Sequence, residues 1–353
     1  MYRILKIGSA FIGVIVGAGF ASGQEVLQYF TSFGMWGTVG GIIATVLFAY
    51  LGMMLTKLGS RVNANSHRDV VYKISGRFFG PIVDGVIILT LFVVGTVMIA
   101  GAGSNLEQQF GLPSFVGSVL LVVLVMLTVV LDTHKVINVI SSITPFLILA
   151  VLAASIYSVF TMDQTFSQLI PYTEKVETTL PNWIVATINY VSLNIAVGAS
   201  MAFVIGGAEK NERVAAAGGF IGGLTLGLMI VLSHIAIFSQ IDVVGDKAMP
   251  MLAIINQISP ILGILMAIVL FAMIFNTAVG MFYAFGARFV ELGTKKFNLF
   301  LLATVLVGFA LSFLGFTKLV SLFYPFVGYI GIFLMVALIV ATFRMPKKAP
   351  REQ

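Results

Sequence analysis

Long apolar stretches separated by short polar segments run through the whole chain. A helix needs about 20 apolar residues to cross the hydrocarbon core of a bilayer, and the pattern predicts ten such spans. They lie near 5–30, 36–57, 81–107, 112–131, 138–160, 182–206, 217–239, 260–289, 298–315 and 319–343. The polar intervals 66–80 and 246–259 are each predicted to hold a short helix, one at the cytoplasmic surface and one dipping in from outside. The pattern therefore predicts an all-α polytopic membrane protein.

Composition and charge distribution agree with a chain surrounded by lipid. Hydrophobic residues make up 59% of the chain and charged residues 10%, whereas soluble domains carry about 25% charged residues. Of the 20 Lys and Arg residues, 17 fall on one predicted side. Basic residues collect on the cytoplasmic side, so both termini are predicted to be cytoplasmic, in the cell membrane. The net charge of +6 thus reports topology and not a nucleic-acid partner.

Short motifs recur in order along the chain, at offsets of 179 to 182 residues. The pairs are Val16–Ala21 with Val197–Ala202, Gly37–Gly41 with Gly219–Gly223, Pro81-Ile82 with Pro260-Ile261, and Pro145-Phe146 with Pro325-Phe326. Each half then contains five spans, and an odd number inverts the second copy in the membrane. The predicted parts are a first repeat at 1–160, an extracellular linker at 161–181, an inverted repeat at 182–345 and a cytoplasmic tail at 346–353.

The segment Gly17–Gly23 predicts a break inside span 1. Each of its three glycines disfavours helix by up to about 1 kcal/mol relative to alanine. A broken helix is tolerated in lipid only where its backbone is buried in protein or lines a cavity, and its freed amides then suit an anion. The alternative is close packing of helices through small residues. The matching segment Gly198–Ser200 in span 6 favours paired breaks, so spans 1 and 6 are both predicted to be broken.

The predicted substrate site surrounds these two breaks. Its members are backbone and side-chain groups of Gly17, Ala18, Gly19, Phe20, Ser22, Tyr190, Asn194 and Gly198. No Lys or Arg lies within span 1 or span 6 beside the breaks. A substrate carboxylate is therefore predicted to bind backbone amides. The rest of the substrate is predicted to face Tyr190, Asn194 and span 3 around Gly95–Ala102, where small residues leave room.

Three further groups of residues could couple or gate transport. Glu25 lies inside span 1, where an unpaired carboxylate is costly. It could carry a proton, bind a substrate amine or lie solvated in an outer vestibule. Asn276 and Thr277 in span 8 offer oxygen ligands to Na⁺, with an interhelical hydrogen bond as the alternative. The predicted cytoplasmic gate is formed by the basic residues before span 1 and the acidic residue after span 8, which are Arg3, Lys6 and Glu291.

The segment Gly13–Glu25 resembles the span 1 signature of YkvI-like amino acid permeases in the amino acid–polyamine–organocation superfamily. The resemblance extends over the whole chain in length, span count and repeat layout. It implies the LeuT-type fold of five plus five helices, with spans 1 and 6 unwound at the substrate site. It also implies transport by alternating access.

Carried over by position, the resemblance implies a role for particular residues. Amides around Ala18, Gly19 and Phe20 would meet a substrate carboxylate. Carbonyl groups near Gly13 and Val16 would join Thr277 at a sodium site. Such sites often have two adjacent hydroxyl residues in span 8, and here Asn276 stands at the first position. Span 5 has no interior Lys of the kind that some members use for proton coupling.

The leading interpretation is a cation-coupled symporter of an amino acid or similar small zwitterion. The alternative is a ligand-sensing membrane subunit that retains a transporter-like fold. A channel is disfavoured because no filter-like segment or acidic ring appears. An enzyme is disfavoured because the chain has no Cys, nucleotide loop, nucleophile elbow or His/Glu cluster. The expected partners are a small-molecule substrate and the bilayer, with Na⁺ or H⁺ as coupling ion and no cofactor or other metal.

Overall fold

The computed structural model describes residues 1–64, 67–130 and 144–344, and regular structure in these ranges is helical. The first half contains α1 (Tyr2–Ile15), α2 (Ala18–Ser22), α3 (Gln24–Tyr29), α4 (Met35–Val62), α5 (His67–Phe110), α6 (Ser114–Val130) and α7 (Thr144–Phe160). The second contains α8 (Phe166–Thr173), α9 (Trp183–Gly207), α10 (Glu212–Ser239), α11 (Ile241–Val244), α12 (Pro250–Ile258), α13 (Pro260–Phe289), α14 (Lys295–Ser312) and α15 (Phe316–Arg344).

Seven helices in the described ranges are long and apolar enough to cross a bilayer. They are α4, the Gly80–Phe110 part of α5, α9, α10, α13, α14 and the Phe316–Val340 part of α15. Ser114–Thr128 and Ile148–Phe160 are shorter apolar helices, and predicted span 1 is divided among α1, α2 and α3. The chain is thus an all-helical, multi-pass membrane protein. The count of ten spans stays a prediction.

The two short helices predicted between spans have different outcomes. The interval 246–259 contains α12, whose Met251, Leu252 and Ile255 are buried, so this helix is confirmed. The interval 66–80 does not form a separate surface helix, because α5 begins at His67 and continues through Pro81. Proline is tolerated inside membrane helices where neighbours satisfy the freed backbone groups. Residues 131–143 and the predicted tail lie outside the described residues.

Helices α4 and α10 pack with their backbones in contact. A methyl group added at Gly223 would overlap the backbone carbonyl of Phe48, and one added at Gly219 would overlap that of Gly52. Small residues let membrane helices approach this closely, which maximises van der Waals contact where lipid removes the hydrophobic driving force. Glycines in the repeated motif of the second half therefore build this helix–helix interface.

Helix α15 contains a proline whose missing amide is compensated from outside the helix. Pro325 has no N–H, so the carbonyl of Ser321 loses its intrahelical partner. The Thr179 hydroxyl, from the segment between the halves, donates to that carbonyl at 2.6 Å. The Asn189 amide of α9 donates to the Pro325 carbonyl at 2.9 Å. These bonds attach both α9 and the connecting segment to α15.

Candidate functional site

Span 1 is interrupted near the centre of the bundle, as the glycine pattern predicts. Helix α1 ends at Ile15, and Val16 (φ −70°, ψ 91°) and Gly17 (φ −95°, ψ −175°) are extended. A second irregularity follows at Gly23, whose φ of 85° lies in the left-handed region that glycine adopts without strain. Span 1 is therefore divided into the three helices α1, α2 and α3. Backbone groups between α1 and α2 are released from the hydrogen bonds of a continuous helix.

The predicted break in span 6 is wrong, because α9 continues through Gly198–Ser200. A single glycine costs about 1 kcal/mol in a helix, and the flanking Ala199 and Ser200 do not add a second weak point. A methyl group at Gly198 would lie 2.6 Å from Cγ1 of Ile15. Gly198 thus allows α9 to approach the end of α1, which is the packing role weighed as the alternative.

A small cavity lies beside the break of span 1. Its volume is about 20 Å³, enough for about one water molecule. Gly17, Gly19 and Glu25 of span 1 line it, together with Asn194 of α9 and Thr277 of α13. The remaining wall is mainly aliphatic and methionine side chains from α5, α9 and α13. The break therefore faces an enclosed space that combines one carboxyl group, neutral polar groups and apolar surface.

Glu25 folds back over the break. Its side chain is buried, with 6% of its surface exposed, which contradicts a solvated position in an outer vestibule. The carboxyl group lies where a side chain at Gly19 would project, and Oε2 accepts a hydrogen bond from the Tyr190 hydroxyl at 3.1 Å. The Tyr190 ring packs edge-on against Phe30, at a centroid distance of 5.1 Å. The Glu25 carboxyl group is therefore held at the cavity wall.

Among the described side chains, the remaining predicted substrate residues do not line the cavity. Tyr190 reaches the cavity only through Glu25, and Phe20 is buried in the core. The Ser22 hydroxyl donates to the Gly19 carbonyl at 2.9 Å and accepts from the Gln24 amide at 3.2 Å. Ser22 thus stabilises the fragments of span 1 and does not line the cavity. Ala18 begins α2, and its side chain lies outside the described residues.

The predicted sodium ligands collect on the other side of the break. Val16 is buried where α1 ends, and a methyl at Gly17 would lie 4.0 Å from the Thr277 hydroxyl oxygen. Asn276 Oδ1 is shielded from solvent and has no hydrogen-bond partner among the described residues. In that part of the chain, the Gly13 carbonyl receives no bond from Gly17, its partner in an unbroken helix. Of the four predicted ligands only Thr277 lines the cavity, Gly13 is exposed, and the role of the four with Na⁺ stays a prediction.

Within the described part of the chain, the basic residues of the predicted cytoplasmic gate do not pair with Glu291 in this conformation. Arg3 forms an ion pair with Glu209, at the end of α9, with an N–O distance of 3.2 Å. Across the described ranges, Glu291 forms no ion pair with Arg3 or Lys6. An approach of Arg3 and Lys6 to Glu291 in another conformation stays a prediction.

At the opposite end of the bundle, α12 covers the break. Met251 is fully buried, and its Cγ would lie 2.7 Å from a methyl group at Gly23. The Gln108 side chain of α5 donates to the Met249 carbonyl at 2.9 Å and accepts from the Met249 amide at 2.9 Å. This pair of hydrogen bonds fixes the start of α12 to α5 and closes that approach to the cavity.

Gln108→Ala is expected to increase the opening of α12. Each of the two lost hydrogen bonds contributes about 0.5–1.5 kcal/mol, so the open population should rise at least about fivefold. The chain has no Cys, so Met251→Cys provides a single reporter thiol. Its maleimide labelling rate in purified protein should rise by that factor when Gln108→Ala is added.

The neighbouring Gln109→Ala is the matched control. Gln109 also bonds to α12, at 3.3 Å to Asn256, but at an exposed position where water can replace the bond at little cost. It should leave the labelling rate of Met251→Cys unchanged. Equal rates in the Gln108 and Gln109 variants would show that the Gln108 bonds do not hold α12 closed.

Several residues at the cavity were not predicted from the sequence. They include Val94 of α5, Met281 of α13 and Tyr324 of α15. Met98 of α5 also lines the cavity and lies within the span 3 stretch that was predicted to face the substrate. The small residues of α5 that were expected to leave room for substrate instead pack on other helices, as Gly95 does on Phe282. For Tyr324, the sequence offered one indication of a special position, because the repeated Pro-Phe motif directly follows it.

Comparison with known proteins places this geometry in context. No family model matches the chain. The uncharacterized membrane protein YkvI of Bacillus subtilis (strain 168) is 23% identical over 350 residues, covering 99% of this chain and 97% of that protein. The uncharacterized protein YyaD of the same strain is 26% identical over 329 residues, covering 93% of this chain and 94% of that protein.

Solved structures share the fold at low sequence identity. MhsT in complex with L-phenylalanine superposes with a TM-score of 0.67 at 16% identity, over 96% of this chain and 88% of that one. Mhp1 in an inward-facing conformation gives 0.60 at 12% identity, over 96% and 75%. A manganese transporter of Eremococcus coleocola gives 0.53 at 15%, over 96% and 76%. The chain is therefore a multi-pass membrane protein with the LeuT-type fold of MhsT and Mhp1, and its resemblance to YkvI extends over nearly its whole length.

Proposed function

We propose that the chain is a secondary transporter that moves an amino acid or similar small zwitterion by alternating access, coupled to a cation. The observation that carries the proposal is the break of span 1, which faces an enclosed cavity lined by Gly17, Gly19 and Glu25. Interrupted membrane helices form substrate sites near the membrane centre in transporters. The amides of Ala18, Gly19 and Phe20 would bind the substrate carboxylate.

The proposed topology has ten spans in two inverted repeats, 1–160 and 182–345, with an extracellular linker at 161–181. Both termini and the tail at 346–353 lie in the cytoplasm of a cell whose plasma membrane holds the protein. The described helices coincide with parts of all ten predicted spans, and the one-sided distribution of basic residues supports the orientation.

The structural neighbours support a transporter of an organic solute. MhsT is described with bound L-phenylalanine, and a further neighbour transports manganese. Manganese sites use oxygen and nitrogen ligands. In the described part of this chain, no three His, Cys, Asp or Glu side chains come together in a way that could hold a metal ion. An organic substrate therefore agrees better with the cavity than a transition metal.

Counterflow in proteoliposomes tests the proposal directly. A thermal-shift screen of the amino acids first identifies ligands, because ligands that bind the native state raise its stability by mass action. Vesicles loaded with an unlabelled hit should then accumulate the labelled compound transiently, while protein-free vesicles should not. A protein that binds the hit without exchanging it would be a ligand sensor with a transporter-like fold.

Thr277→Ala is expected to weaken the dependence of transport on Na⁺. The variant removes a hydroxyl oxygen at the cavity wall, so the Na⁺ concentration for half-maximal uptake should rise at least about tenfold. Substrate affinity at saturating Na⁺ should change little. Uptake measured across a Na⁺ series at fixed substrate separates the two effects.

Thr304→Ala is the matched control, because the Thr304 hydroxyl of α14 bonds within its own helix, to the Phe300 carbonyl at 2.8 Å. Its Na⁺ dependence should equal that of the unmodified protein. Uptake that is unaffected when K⁺ replaces Na⁺ would eliminate the sodium model and leave the proton as coupling ion, with Glu25 as its first candidate carrier.

A further inference from the structure

The Glu25 carboxyl group has one oxygen in use and one available. Oε2 accepts the Tyr190 hydroxyl, whereas Oε1 accepts no hydrogen bond from the described residues. Oε1 is the Glu25 atom nearest to the side-chain position of Gly19, and both residues line the cavity. A donor that enters the cavity can therefore reach a carboxyl oxygen that the protein leaves unpaired.

No positive charge in the cavity wall neutralises this carboxyl group. The titratable groups that interact with it electrostatically are tyrosine hydroxyls, from Tyr29 on its own span, Tyr190 on α9 and Tyr324 on α15. Among the described residues, neither Lys nor Arg lines the cavity. A buried charge without a partner is costly. A proton, or a ligand that brings a positive charge, would neutralise this carboxyl group.

The rest of the wall restricts the body of that ligand. Val94, Met98, Leu193, Val197 and Met281 are aliphatic or thioether side chains. They offer no partner to a charged group in the ligand's side chain. Methionine side chains adapt to different shapes because they are unbranched and flexible, so the cavity of about 20 Å³ can enlarge around a short apolar side chain.

We propose that Glu25 binds the positively charged amino group of the substrate, and that the substrate is a small aliphatic amino acid. This assignment rests on the proposed transport function and specifies its substrate class. It makes Glu25 a residue that determines specificity. Compounds that lack a charged amino group are excluded, even when their side chain fits the apolar wall.

Three compounds with one side chain isolate the amino group. L-Valine carries both charges, isobutylamine lacks the carboxylate and N-acetyl-L-valine lacks the positive charge. In the unmodified protein, L-valine and, more weakly, isobutylamine should raise the melting temperature and inhibit counterflow. N-Acetyl-L-valine should require at least about a tenfold higher concentration for the same effect, because it loses a charge-assisted hydrogen bond.

Glu25→Gln should lower the affinity for L-valine at least about tenfold and leave the effect of N-acetyl-L-valine unchanged, so that discrimination is lost. Glu25→Asp keeps the charge and should retain part of the discrimination between the two compounds. It also provides a second test if Glu25→Gln fails to fold. Glu107→Gln is the matched control, because Glu107 is exposed near the end of α5 and away from the cavity.

Other outcomes would overturn the inference in distinguishable ways. If Glu25→Gln keeps the preference for L-valine over N-acetyl-L-valine but loses the dependence of uptake on a proton gradient, Glu25 carries a proton and does not bind the amine. If another class of solute is exchanged while alanine, valine and leucine neither bind nor compete, the substrate class is wrong although transport stands. If no solute is exchanged by any preparation, the transport function itself fails.

Discussion

Gly19→Ala is expected to weaken solute binding and to reduce exchange strongly while the protein still folds. The added methyl group would overlap the carboxyl group of Glu25, which is the end of a flexible side chain and can move aside. That movement breaks the bond to Tyr190 and removes the carboxyl group from its position at the cavity. We expect exchange to fall at least about 100-fold, as is typical when a positioned polar group is misplaced. Counterflow and size-exclusion chromatography measure the two properties separately.

Gly280→Ala provides the control for a methyl group added close to the same region. Nothing lies within 4 Å of a side chain at Gly280, so exchange should stay within about twofold. Gly40→Ala would be a less suitable control, because its methyl group would lie 2.5 Å from the Thr187 hydroxyl oxygen. Wild-type exchange in Gly19→Ala would show that the position of Glu25 is unimportant.

Gly223→Val is expected to prevent α4 and α10 from packing. Any side chain at Gly223 overlaps the backbone carbonyl of Phe48, and backbone atoms cannot rotate away as a side chain can. Overpacking costs about 1–3 kcal/mol in cores, and we expect the upper end here. The melting temperature should fall by roughly 6–12 °C, with loss of monodisperse protein during purification.

The control for this stability effect is Gly85→Ala in α5, where a methyl group meets nothing within 4 Å. Because alanine also favours helix over glycine, this variant should melt at the wild-type temperature or slightly above it. If Gly223→Val melts together with Gly85→Ala, close contact between α4 and α10 is not what holds the bundle together.

The features that lipid imposes were predictable from the sequence. Apolar runs of fixed length give the membrane class and the helix positions, and three glycines within Gly17–Gly23 give the break. These predictions succeed because an unsatisfied polar or backbone group is costly at these depths.

The failures come from residues that serve two physical purposes. Glycine both weakens a helix and allows close packing, so Gly198 in span 6 was assigned the wrong one of these roles. Apolar residues look alike whether they face lipid, another helix or a cavity, and Val94 and Met281 could not be separated from lipid-facing neighbours. The pairing of Arg3 with Glu209 depends on how two distant helix ends meet, which a sequence pattern does not encode.

The packing of α1 determines which helices must move with it. Ile15, at the end of α1, touches Gly198 in the middle of α9. Nearer its start, Gly8 of α1 lies against the backbone of Gly222 in α10. The chain is extended immediately after α1, at Val16–Gly17, so α1 can turn there relative to the rest of span 1. Because small residues bring α1 into close contact with both neighbours, a rotation of α1 at that point would carry α9 and α10 with it.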